Sequence, residues 1–78
     1  MRVYKSRFTP GLNNGADVSF DIGERVTYQD ERGGQGVVEI TSNEMRGSRG
    51  QLGYEARCEI LGNIFVSAEN IVDWKGKA

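Results

Sequence analysis

The segment Met45-Arg46-Gly47-Ser48-Arg49-Gly50-Gln51 sets two arginines three residues apart among glycines and small polar residues. A guanidinium offers a planar fork of donors, so such a pair suits a carboxylate on a protein surface or a phosphate on a nucleic-acid backbone. More cations precede it at Arg2, Lys5 and Arg7, with no acid before Asp17. Arg2, Lys5, Arg7, Arg46 and Arg49 are therefore the candidate nucleic-acid contacts. The formal net charge is -1, however, and Glu44 and Asp30-Glu31 would repel a phosphate backbone. The expectation ranks a protein partner above nucleic acid.

Other chemistry finds few residues to work with. The chain has no histidine and one cysteine, so neither a zinc site nor a Cys-His nucleophile pair can be assembled within it. Gly33-Gly34-Gln35-Gly36 joins two strand-like runs, and no Gly-Lys-Ser or Gly-Lys-Thr follows to hold phosphates. The carboxylate pairs Asp30-Glu31 and Glu55/Glu59 fall where water reaches them, which leaves no desolvated acid for proton transfer. No catalytic residue, cofactor or metal is expected. A lone Cys58 excludes an internal disulfide, Met1 to Arg7 lacks an apolar leader core, and no run approaches the roughly 18 apolar residues of a membrane span. A cytoplasmic, non-membrane protein is expected.

The elements that would carry these residues are strands. In Gly53-Tyr54-Glu55-Ala56-Arg57-Cys58-Glu59-Ile60, apolar and charged residues alternate at period two. This alternation sends Tyr54, Ala56, Cys58 and Ile60 to a core. Eleven glycines against one proline, without helical spacing, predict short strands cut by tight turns. Val18, Phe20, Ile22, Val26 and Tyr28 can share a face, leading into a strand at Glu24–Gln29. A reversal at Asp30 to Gly34 follows, then a strand over Gly36–Ile40, then a long mobile loop from Thr41 to Gln51. The strand Gly53–Ile60 turns at Leu61-Gly62-Asn63 into Ile64–Ser67. Ser67 caps one helical turn, and Ile71–Trp74 closes the sheet. Residues 1–16 read as a flexible arm, in which Val3 to Phe8 could pair at an edge, and residues 17–78 as one domain.

Aromatic residues add a second candidate surface. Tyr28 and Tyr54 share parity with core positions, whereas Phe65 falls on the outward parity between Ile64 and Val66. An outward Phe65 beside Trp74 would mark an interface, so Arg46, Arg49, Phe65 and Trp74 are the candidate partner-binding residues. A chain of 78 residues buries only about 60% of its unfolded surface, and self-association into a homodimer or larger assembly would relieve that shortage.

Ile22-Gly23-Glu24-Arg25-Val26, Gly33 to Val38, Tyr54 to Arg57 and Phe65 to Ile71 stand in an order that resembles SH3-like barrels, which place one 3₁₀ turn ahead of the last strand. The resemblance implies an all-β, five-stranded barrel. Gly23, Val26, Gly36 and Val38 fit a KOW-like first hairpin, a family that contacts RNA or proteins through the hairpin turn; here that turn is Asp30-Glu31-Arg32. The frame Phe20, Gly23, Arg25-Val26, Gly36, Glu39-Ile40, Gly53-Tyr54 and Ala68 to Ile71 is also similar to type II dihydrofolate reductase, a tetramer of such barrels around one pore. That family lines its pore with a Val-Gln-Ile-Tyr segment where this chain has Ile64-Phe65-Val66-Ser67. The expected function is a non-catalytic binding or adaptor module that takes a protein partner or its own copies, in the style of a phage or mobile-element accessory protein. A nucleic-acid-binding domain comes second, and an enzyme with a shared pore third.

Overall fold

The structure, a computed structural model, describes residues 4–9 and 11–77. The strands run β1 (Glu24–Gln29), β2 (Gln35–Ile40), β3 (Met45–Arg46), β4 (Leu52–Cys58), β5 (Gly62–Ser67) and β6 (Ile71–Lys77). Single 3₁₀ turns occupy Lys5–Arg7, Gly15–Asp17 and Ala68–Asn70. All strand pairs are antiparallel, in one sheet of order β3-β4-β2-β1-β6, with β5 on the other edge of β4. The expected all-β class is observed, with six strands instead of five and no helix longer than a turn among the described residues.

Turn chemistry explains most of the boundaries. At the β1–β2 reversal the Asp30 carboxylate accepts from the backbone N–H groups of Arg32 and Gly34 (2.9 and 2.8 Å), and Gly33 takes a φ of 82° that a Cβ would oppose. Along β6 the register against β1 slips twice, between Arg25 and Val26 and between Thr27 and Tyr28. Such bulges bend a strand, so β6 wraps around β1 instead of lying flat beside it.

The curl encloses a core of Val18, Phe20, Val26, Val38, Ile40, Tyr54, Ala56, Val66, Ala68 and Ile71, joined by Phe8. Phe8, Phe20 and Tyr54 stack edge to face with centroids 6.1 and 5.7 Å apart. The Tyr54 hydroxyl accepts from the Phe20 N–H (3.1 Å) and donates to Glu44 (3.2 Å), so the most buried aromatic ring also has its polar end satisfied.

Several expectations need correction. Phe8 lies in the core, so residues 4–9 are not a free arm, and Lys5–Arg7 forms a 3₁₀ turn instead of an edge strand. Ile22 and Ile60 are exposed. Gly23 adopts a φ of 94°, which breaks the parity of the run through Ile22, and β4 stops at Cys58, so Ile60 falls in the β4–β5 turn. Cys58 and Tyr28 are half-buried at the margin of the core. The Ser67 side chain makes no capping bond to the last 3₁₀ turn.

Candidate functional site

The strand parity that buries Val26 also turns Glu24 inward, and its side chain is only 3% exposed. Lys5 reaches it from the N-terminal segment. The Lys5 ammonium donates to both Glu24 oxygens (2.9 and 2.8 Å) and to Asp21 Oδ2 (2.9 Å), while the Asp21 N–H donates to Glu24 Oε2. Lys5 is therefore committed to an internal ion cluster and not held free for phosphate. Burial pulls the Lys5 pKa down, but its bonds to Glu24 and Asp21 outweigh this and leave it above 10.5. The bond from Lys5 holds the exposed Asp21 carboxyl below 3.8.

These directions set a pH window. The Lys5 contribution is complete below pH 10.5 and is lost as pH rises through the higher folded value; that of Asp21 is complete above pH 3.8 and is lost as pH falls through the lower one. Denaturant titrations should show the stability gap between wild type and Lys5→Met narrowing above pH 10.5, and that between wild type and Asp21→Asn narrowing below pH 3.8. Gaps that stay constant through both limits would contradict the cluster.

The arginine segment is a hairpin and not a mobile loop. Met45 pairs with Gly53 and Arg46 with Leu52, along the same edge of β4 that pairs with β2 at Glu39↔Arg57 and Ile40↔Ala56. Two extra residues are absorbed between Thr41 and Met45, where the Ser42 hydroxyl accepts the Glu55 N–H (2.9 Å) and replaces a ladder carbonyl. The turn closes through Gly47 N–H to Gln51 O and Gly50 N–H to Gly47 O. Arg46 Nη1 donates to Gly50 O (2.9 Å), so one guanidinium is used partly on its own turn, while Arg49 stands exposed at the tip.

Phe65 lies across from Glu55 on the outward parity, as its position implied, but it is half-buried. Its ring rests against Gly47 and Gly53, where a Cβ on either glycine would come within 3 Å of it. The structure thus brings Arg46, Arg49 and Phe65 together around one hairpin. Trp74 is elsewhere: it pairs with Val26 on β6, packs against the core, and has a buried Nε1 without an acceptor among the described residues. No ring contact joins Phe65 and Trp74 among the described residues. Arg7 is exposed, and Arg2 lies outside the described residues.

A second surface escaped the sequence reading. Strand pairing aligns Arg25, Glu39, Arg57 and Asn63 in one row across β1, β2, β4 and β5. Arg57 Nη2 lies 3.4 Å from Glu39 Oε1. Beyond this row β2 continues along β1 to Gln35, whereas β4 has ended and turned into β5. The mismatch in strand length opens a groove of about 870 Å³ lined by Arg25, Val37, Glu39, Arg57, Cys58 and Ile60, among others. Val37 and Ile60, both in its lining, are 50% and 90% exposed, and Leu61 beside Ile60 is 63% exposed. Parity alone could have placed Arg25 and Val37 outside; the gap itself depends on where β4 stops.

Among the described residues no cluster of His, Cys, Asp or Glu is arranged to hold a metal, and no helix is long and apolar enough to cross a membrane. Comparison with protein families, curated proteins and solved structures finds no match to the chain.

Proposed function

We propose that the chain is a non-catalytic protein-binding module, and that the groove beyond the end of β4 is its binding surface. One observation carries this reading: Val37 and Ile60 expose apolar side chains in a concavity that also holds charged side chains, with the exposed Leu61 next to Ile60 in the chain. Apolar side chains gathered at a concavity with polar groups around it are a mark of interaction sites, whereas singly scattered ones are ordinary surface. The strand order β6-β1-β2-β4-β5, with a 3₁₀ turn ahead of β6, supports an SH3-like barrel as the architecture. The engagement of Lys5 by Glu24 and of Arg46 by Gly50 favours a protein partner over nucleic acid, since it leaves fewer free cations for phosphate.

The test is a selection of displayed random dodecapeptides against the immobilised protein. Enriched peptides should bind wild type and lose at least tenfold in affinity to the double variant Ile60→Asp/Leu61→Asp, whose positions in an exposed turn leave folding intact. Selected peptides that bind both proteins equally would refute the groove as the site. A wild-type dimer in light scattering that the double variant abolishes would make the partner a second copy.

A further inference from the structure

We infer that the groove takes an extended segment of a partner protein as an added strand on β2, with an acidic residue of that segment against Arg25. This inference rests on the proposed binding surface and specifies how it is used. It starts from the backbone. Thr41 N–H donates to Glu55 O toward β4, whereas Ile40 O accepts Gly23 N–H on the opposite side. Backbone groups of successive strand residues point to opposite edges, so those of the odd-numbered residues of β2 face β4.

At Glu39 that direction meets Arg57. At Val37 and Gln35 it meets none of the described strands, because the residue that would face Val37 is Glu59, already in the β4–β5 turn. N–H and C=O groups left unpaired by the described strands are complementary to another main chain, which supplies both acceptors and donors, whereas a phosphate or a flat aromatic ligand would leave the C=O groups without a donor. Val37 and Ile60 in the same recess would meet apolar side chains of the added strand.

Charge selects further. The groove's lining holds two guanidiniums, Arg25 and Arg57, and two carboxylates, Glu39 and Glu59; Arg57 is bonded to Glu39, and the Arg25 guanidinium makes no hydrogen bond or ion pair among the described residues. A carboxylate on the incoming segment satisfies Arg25. A second copy using the same face is disfavoured by shape, since two recesses placed face to face hold their strand edges apart.

Peptides selected as above are titrated against wild type, Val37→Pro, Val37→Ala and Arg25→Gln, and amide exchange is followed with and without peptide. Val37→Pro removes a single N–H on the open edge and none of the bonds to β1, so the fold survives. The expected result is at least a tenfold loss for Val37→Pro, a smaller loss for Val37→Ala, and a three- to tenfold loss for Arg25→Gln that grows with acidic peptides. The Val37 amide should slow in exchange when peptide binds. If Ile60→Asp/Leu61→Asp weakens binding while Val37→Pro does not and the Val37 amide stays unprotected, strand addition is wrong and the binding surface stands. If none of these substitutions matters, or no peptide is enriched, both fail. Protection of the Val37 amide in the free protein that rises with protein concentration would overturn the foreign segment in favour of a second copy.

Discussion

Replacing Lys5 by methionine is expected to lower the unfolding free energy by about 2–4 kcal/mol, a large share of the whole for a domain of this size. Methionine keeps the stem of the side chain and removes the ammonium, so Glu24 remains in its buried site with, among the described residues, the Asp21 N–H as its side-chain partner. The cost arises from stranding that charge, not from losing a favourable pair. Lys5 retains some access to water, at 27% of its side-chain surface, which places the estimate toward the lower end of what a fully buried pair would give. The double variant Lys5→Met/Glu24→Met should recover most of the loss, because two apolar side chains fill the same space without desolvating a charge. Denaturant titration of the four proteins in a cycle supplies the measurement. A Lys5→Met loss below about 0.5 kcal/mol, within the range of ordinary surface substitutions, would mean that the N-terminal segment does not hold Glu24.

Gly53→Ala is expected to be comparably damaging, at about 3 kcal/mol, for a steric reason. An added Cβ would lie 2.2 Å from the Val66 carbonyl oxygen and 2.6 Å from the Phe65 ring. The ring can rotate away, but the carbonyl belongs to the β4–β5 ladder, and moving it disturbs the pairing of Gly53 with Ser67 and of Tyr54 with Val66. Gly47→Ala is the control. The atoms nearest to its Cβ would belong to the Phe65 ring and the Gln51 side chain, at 2.9 Å, and both can yield, so about 1 kcal/mol is expected. Thermal unfolding of the two variants should therefore separate them clearly, and equal losses would show that the ring, and not the strand backbone, dominates the contact.

Period-two alternation identified Tyr54 and Ala56 as core because every second residue of a strand meets the same surface, wherever its partners come from. It failed at Ile60 because alternation says nothing of where a strand ends, and β4 ends where Gly62 permits the turn into β5. The arginine segment looked like a loop because its residues are polar and small, but an edge of β4 supplies the hydrogen bonds that its own sequence does not advertise. Lys5 and Glu24 lie far apart in the chain, although the parity of Glu24 with Val26 already pointed it inward. The groove left the weakest trace, since it follows from a difference in length between β2 and β4 that only their pairing reveals.

The position of β1 between β2 and β6 bears on the order in which the molecule comes together. The β1–β2 and β4–β5 hairpins join neighbours in the chain and can form early, on the microsecond scale of isolated hairpins. Joining Val26 to Trp74 instead closes a loop that holds most of the chain, and its entropic cost must be met before any contact of β6 compensates it. Completion of the sheet should therefore be the slow event, in the millisecond-to-second range of proteins dominated by distant pairings. During synthesis, β1 keeps a bare flank until residues 71–77 have been made and have returned to it, and any shortening of the chain before Trp74 leaves that flank open to other strands.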